Sequence, residues 1–351
     1  MLLVLVMVAA LWGIGMVIGA PKSARWTMIG LLYVAVLGVQ IVFPPQHQLV
    51  IATGGSLAMW LLIGGVVAVI VVYSSILQRL RQKADNKAQD VAQENAAQEL
   101  FSDTELNRYA RHIVLRELGG LGQKKLKESK VLVIGAGGLG SPVLLYLAAS
   151  GVGTVGVVDD DVVDNSNLQR QVIHKDEAIG TPKVLSAAEA MTAQNPFVTV
   201  VPYPRRLTEE DAAEIIGDYD LVLDGTDNFV TRYLVNEICV ALGKPLISGA
   251  LSQWEGQLSV FDPANGTPCY QCIFSEAPAP GMAPSCSEAG VVGPLPGVVG
   301  TMMAAEAIKV ITGAGAALRG EMMIYDALWG ETRKIGLKSR ADCPTCGGKN
   351  A

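Results

Sequence analysis

Charge is almost missing from the first 78 residues of this 351-residue chain, where Lys22 and Arg25 are the only Lys, Arg, Asp or Glu side chains. Half of the chain is hydrophobic, and the excess sits at this end. A basic region is also missing ahead of the apolar stretch Met1–Ala20, which argues against a cleaved secretory signal. The remainder has no basic run and the net charge is −6, so nothing points to nucleic acid as a partner. Histidine is scarce, with three in all; His112 and His174 stand in no triad and no metal-ligand spacing, and both are read as structural.

What is present at the amino terminus is three apolar stretches, Met1–Ala20, Trp26–Phe43 and Leu49–Tyr73. Each approaches or exceeds the roughly 18–20 residues that carry a helix across about 30 Å of hydrocarbon. Three transmembrane helices are therefore expected over residues 1–76. Lys22 and Arg25 lie in the first loop, 44–48 carries no full charge, and Arg79, Arg81, Lys83 and Lys87 follow the third stretch. Lys and Arg gather on the cytoplasmic side of membranes, which predicts a multi-pass protein of the inner (cytoplasmic) membrane with its amino terminus outside and its larger part in the cytoplasm. Residues 77–100 mix Ala, Gln and both charges without Pro or Gly, which predicts a solvated helical linker. Its apolar stripe (Leu77, Leu80, Ala84, Val91) is too weak to predict a coiled coil.

Residues 101–351 alternate short apolar runs with helical segments. Strands are predicted at Val131–Gly135, Thr154–Asp159, Phe197–Tyr203, Leu221–Asp224 and Pro245–Ser248, with helices at Leu139–Gly151, Pro182–Gln194 and Arg232–Leu242. That alternation predicts an α/β fold: a Rossmann-like, mostly parallel sheet with helices on both faces. Beyond Leu251 the pattern changes to antiparallel strands (Gln253–Asp262, Met322–Tyr325, Thr332–Leu337) around a helix at Gly297–Thr312.

The loop Gly135-Ala136-Gly137-Gly138-Leu139-Gly140 follows a strand and opens a helix. Gly135, Gly137, Gly138 and Gly140 let backbone approach phosphate, and the helix terminus supplies N–H groups. Asp159 ends the next strand, placed for ribose hydroxyls, and Asp161 joins it. To this point NAD fits as well as ATP. Arg170 and Lys183 favour ATP, because attack at an α-phosphate loads charge onto the departing pyrophosphate and calls for fixed cations. Arg170 sits in the polar string Asn165-Ser166-Asn167-Leu168-Gln169-Arg170-Gln171. Asp227 and Asn228 follow a strand; Asp227 suits Mg²⁺, and the pair equally suits the N-cap of the helix behind it. Asp224 is expected to support that turn.

Of six cysteines, Cys269, Cys272, Cys343 and Cys346 form two C-x-x-C pairs, which in a cytoplasmic chain read as a structural Cys₄ zinc site. Cys239 lies in an apolar helix and is read as core; Cys286 lies in the Pro/Gly-rich segment 275–297.

Together these motifs resemble the bacterial adenylyltransferases that activate ubiquitin-like sulfur carriers, first those of molybdopterin synthase and next those of thiazole biosynthesis. The resemblance rests on Arg108–Ile113, Gly135–Gly140, Asp159–Asp161, Ser166–Gln171, Gly180–Lys183, Thr226–Asn228, both cysteine pairs and Gly293–Gly297. It implies nucleotide contact at Gly138, ribose contact at Asp159, phosphate contacts at Asn167, Arg170 and Lys183, and an essential acid near Mg²⁺ at Asp227. It also implies the zinc site and a homodimer in which Arg111 reaches the other subunit's ATP. Cys286 matches the cysteine that the thiazole branch uses covalently and the molybdopterin branch does not need. The partner implied is a small β-grasp sulfur carrier with a Gly-Gly tail. No sulfurtransferase domain follows Gly348, so a separate sulfurtransferase or cysteine desulfurase is expected as donor. An amino-terminal membrane region departs from the family pattern. Two rivals remain open: an NAD-dependent oxidoreductase, and a membrane scaffold that binds a carrier without turnover.

Overall fold

The computed structural model describes residues 1–351 apart from Gly55, Glu99, 280–285 and 348–351. It divides into two compact units, Met1–Glu99 and Leu100–Ala351.

The first unit holds helices α1 (Leu2–Val17), α2 (Lys22–Val42), α3 (Gln48–Thr53) and α4 (Leu57–Gln98). Three of them, α1, α2 and the first half of α4, are apolar; Lys22–Val42 and Leu57–Leu77 are long enough to cross a membrane. Two boundaries differ from expectation. α1 has 16 residues, so it is shorter than the Met1–Ala20 span. The stretch Leu49–Tyr73 is two helices, because Gly54 adopts φ +63° between α3 and α4. Trp60 ties this break together by donating Nε1–H to the Gly54 carbonyl at 2.9 Å. Val4, Val36 and Trp60 form a small shared core. The linker is a continuation of α4; the side chains of Leu80, Ala84 and Val91 lie outside the described residues.

The second unit is built on eight strands: β1 (Lys130–Ile134), β2 (Thr154–Val158), β3 (Thr199–Tyr203), β4 (Leu221–Asp224), β5 (Leu246–Leu251), β6 (Glu255–Phe261), β7 (Glu321–Asp326) and β8 (Glu331–Gly336). Their order is β3-β2-β1-β4-β5-β6-β7-β8, with β1 to β5 parallel and β6 to β8 antiparallel. Its helices are α5 (Asp103–Arg108), α6 (Ala110–Ile113), α7 (Gly119–Glu128), α8 (Gly140–Ser150), α9 (Lys183–Gln194), α10 (Ala212–Gly217), α11 (Phe229–Leu242), α12 (Tyr270–Ile273), α13 (Cys286–Ala289) and α14 (Pro294–Thr312).

Side chains alternate along each strand and so feed two cores. Val131 and Val133 of β1 pack with α8, α9 and α14, while Leu132 and Ile134 pack with α10, α11 and Tyr270 of α12. Both faces of β1 are buried, which explains its unbroken apolar run. α14 is apolar enough for a membrane span, yet Leu295, Val299, Met303 and Ala307 are buried in the first of these cores. Trimming one such side chain, as in Leu147→Ala, would cost about 2–5 kcal/mol. Strand order reverses at β1, which is flanked by β2 and β4, and a crevice opens outside the carboxyl ends there.

Candidate functional site

A cavity of about 880 Å³ occupies that crevice. It brings together Gly135, Gly137, Gly138, Asp159, Asp161, Arg170, Lys183, Asp227 and Asn228, residues spread over more than ninety positions of sequence.

The glycine loop turns at the switch point. Gly135 has φ +96° and donates its N–H to Val158 of β2 at 2.8 Å. Gly140 opens α8; a Cβ there would lie 1.9 Å from the Gly135 carbonyl oxygen, so only glycine lets the loop close. Gly140 is thus a packing residue and does not line the cavity, whereas Gly137 and Gly138 do. In the first turn of α8, Ser141 already donates its N–H to Gly137 O at 2.9 Å and Pro142 has no N–H, so the loop positions that line the cavity ahead of the helix are Gly137 and Gly138.

Asp159 braces this loop. Its Oδ2 accepts from Ala136 N at 2.8 Å and its Oδ1 from Asp161 N at 2.9 Å. Burial pushes its carboxyl above the usual range, against the pull of nearby Lys183. His174 braces the loop from below, with Nε2–H donating to Ala136 O at 2.9 Å and Nδ1 accepting from Ser186 Oγ at 3.0 Å. Burial holds its imidazole below the ordinary range, so it is neutral in this pair of bonds. Its structural reading stands on these contacts. His112 bonds Gln123 through Nδ1 at 3.2 Å.

Lys183, 4% exposed at the start of α9, points its Nζ at Asp161 Oδ2, 2.7 Å away. Asp161 therefore holds the cation at the cavity wall. Arg170 donates to Ser166 O at 3.2 Å and to Asn167 Oδ1 at 2.7 Å. Asn167 does not line the cavity itself; it reaches the site through Arg170. The polar string from Asn165 is thus a short 3₁₀ turn that aims one guanidinium. Next to it Gln171, 4% exposed, presents Oε1 without a hydrogen-bond partner, an orphaned acceptor in the cavity wall.

Asp227 is exposed at the end of β4, and Asn228 caps α11 by accepting from Thr231 N at 2.8 Å. The cap reading of Asn228 is the one the contacts display. Below them Asp224 is 1% exposed and accepts from Thr226 N at 3.0 Å and Thr226 Oγ1 at 2.7 Å. Arg232 completes the support. Its Nη1 is 3.3 Å from Asp224 Oδ2 and 2.9 Å from Ser248 Oγ, and Nη2 donates to Gly249 O at 2.7 Å and to Thr226 O. Sequence reasoning missed Arg232, Arg205 and Arg206, all of which line the cavity. Only its position one helical turn past Asn228 could have drawn attention to Arg232.

Arg111 is exposed on α6 and does not line its own chain's cavity. Cys286 opens α13, and its side chain lies outside the described residues.

The four paired cysteines are all buried, with Sγ atoms within 4.8 Å of one another. Separations are 3.9 Å for Cys269–Cys272, 3.6 Å for Cys269–Cys343 and 3.3 Å for Cys272–Cys346. A tetrahedral ion with Zn–S of ~2.3 Å sets sulfurs about 3.8 Å apart, so the donor set fits zinc. These spacings are far from the ~2.05 Å of a disulfide. A closed set of four thiols leaves no position for substrate and ties the carboxyl-terminal tail to α12.

The ThiF family model matches residues 109–345. A Thermus thermophilus protein named sulfur carrier protein adenylyltransferase is 53% identical over 251 residues, covering 70% of this chain and 93% of its own. The SAMP-activating enzyme E1 of Haloferax volcanii is 48% identical over 244 residues, covering 70% of this chain and 90% of its own. Among solved structures, E. coli MccB with AMPCPP and MccA superposes with a TM-score of 0.62 at 24% identity, over 71% of this chain and 76% of that one; the likeness is one of fold.

Proposed function

Because this chain belongs to the ThiF family, we propose that it uses ATP to adenylate the carboxyl-terminal glycine of a small ubiquitin-like sulfur carrier, releasing pyrophosphate. The carrying observation is one cavity that joins a glycine loop, a ribose-reaching acid, two cations and Asp227 at the strand-order switch. An oxidoreductase reading of the same glycine loop leaves Lys183 and Arg170 without a task.

The reaction follows from the lining. Asp159 accepts from the ribose, and the glycine loop at Gly137 and Gly138 takes the phosphates. The carrier tail enters along Leu251, Gln257 and Phe274, on the β4 to β6 side of the cavity. Its carboxylate oxygen attacks the α-phosphorus, the bond to the β-phosphate bridging oxygen breaks, and pyrophosphate leaves. Arg170 and Lys183 hold the charge that grows on the leaving group, and Lys183 exchanges Asp161 for phosphate oxygen as it does so. Asp227 would hold Mg²⁺, which when bound offsets phosphate charge. The product acyl-adenylate passes to a separate sulfur donor, a sulfurtransferase or cysteine desulfurase.

The molybdopterin-synthase small subunit is the favoured carrier on motif resemblance, and the thiazole-pathway carrier is the second. Cys269, Cys272, Cys343 and Cys346 would hold zinc as a structural staple. The protein acts as a homodimer whose Arg111 serves the neighbouring cavity, and α1, α2 and the first half of α4 anchor it in the cytoplasmic membrane. The test is intact-mass spectrometry of each carrier after incubation with ATP and detergent-solubilised protein. A gain of one adenylyl group on a carrier, lost with Asp227→Ala, is expected; a carrier of unchanged mass with active protein contradicts the proposal.

A further inference from the structure

The adenylyl-transfer reading leaves one wall of the cavity without a task. The cations and the glycine loop take the phosphates, and the β4 to β6 side takes the carrier tail. What remains, beyond Asp159, is lined by Val158, Asp160, Arg205, Arg206 and Leu207 at the carboxyl ends of β2 and β3. These two strands run side by side to their last residues, with Val158 opposite Tyr203.

Two of these residues are joined. Arg206 sets Nε at 3.2 Å and Nη2 at 3.1 Å from Asp160 Oδ2. Their side chains are 70% and 43% exposed, and an exposed pair of this kind adds only about 0–1 kcal/mol to stability. Stability therefore gives little reason for it. Its geometric consequence is larger: Nε and Nη2 share one carboxylate oxygen, which orients the guanidinium where it lines the cavity. Leu207 and Val158, both largely buried, line the same part of the cavity. A planar cation lining the cavity is suited to a purine ring, which it can cover face-on.

Resting on the proposed adenylyl transfer, we infer that Arg206, held by Asp160, is the base-recognising wall of the nucleotide site and stacks on the purine of ATP. Arg205 is turned elsewhere, toward Asp211 at 3.6 Å, and is left out of this role. A nucleotide with its ribose on Asp159 and its phosphates toward Lys183 has its base on this side. Arg206 acts on binding and is remote from the bond that breaks.

The test is calorimetry on the full-length, detergent-solubilised protein with two probes, AMP and pyrophosphate. For Arg206→Ala, AMP binding weakens about tenfold while pyrophosphate binding is unchanged, as expected for loss of one cation–ring contact. Arg206→Lys fails to restore AMP binding, since an ammonium has no plane to stack. Asp160→Asn frees the guanidinium and weakens AMP about threefold. In exchange assays the KM for ATP rises and kcat holds. Unchanged AMP affinity in Arg206→Ala overturns the inference, and so does a parallel loss of pyrophosphate affinity, which would make Arg206 a phosphate ligand. Absence of AMP binding in the unaltered protein instead sinks adenylyl transfer itself, and this inference with it.

Discussion

Arg232 is the side chain whose removal should do most damage beneath the candidate site. Arg232→Leu takes away a guanidinium that is 5% exposed and leaves Asp224, 1% exposed, as a buried carboxylate. Asp224 keeps Thr226 N, Thr226 Oγ1 and Ser248 Oγ as donors but loses its counter-charge 3.3 Å away. The carbonyls of Thr226 and Gly249 lose their donors as well. Breaking one side of a buried ion pair costs about 3–5 kcal/mol, because the remaining charge stays desolvated. At about 2–4 °C per kcal/mol for a unit of this size, the melting midpoint should fall by roughly 6–20 °C. Calorimetric unfolding reads this, and carrier-stimulated exchange should fall too, since the Thr226 carbonyl positions the Asp227 turn. The pair Asp224→Asn with Arg232→Leu removes both charges and should recover part of the loss. A midpoint within about 2 °C of the unaltered protein in Arg232→Leu would refute the claim that this buried pair supports the turn.

Three further outcomes are expected. Metal analysis should find zinc bound, and Cys343→Ser should release it and expose the carboxyl-terminal tail to protease; a metal-free protein with a resistant tail would remove the zinc assignment. Stability should decline as pH falls below about 6.5, since unfolded chain protonates His174 there while burial keeps the folded imidazole neutral to lower pH. His174→Gln should flatten that slope, measured by urea unfolding at pH 5.5 to 8. Mixed dimers of Arg111→Ala and Asp227→Ala should regain exchange activity through their one intact site, and verified mixed dimers without activity would exclude an arm acting across subunits.

Much of the second unit was legible because its signals are local. Apolar runs bounded by glycine gave β1 and β4, and the change of period after Leu251 marked the antiparallel strands β6 to β8. The cysteine pairs were legible as a set, since four thiols with two C-x-x-C spacings leave few alternatives. Arg206 and Arg232 were not, because nothing in their neighbourhoods distinguishes them from surface cations. One gains its role from Asp160, 46 residues away, and the other from Asp224 and Ser248 across two strands. Asn167 and Gly140 were read as touching nucleotide, and their contacts add that Asn167 holds Arg170 and that a glycine at 140 lets the loop close. In the first unit, hydropathy overran the break at Gly54, although Thr53-Gly54-Gly55-Ser56 carries the turn chemistry that marks it.

The central claim, transfer of the adenylyl group of ATP to a carrier carboxylate, is tested most directly by isotope exchange between pyrophosphate and ATP. The account predicts exchange only when a carrier ending in Gly-Gly is present, with loss in Asp227→Ala and in a carrier lacking its last glycine. Exchange that ignores the carrier tail, or none with any carrier while ATP binds, would contradict it.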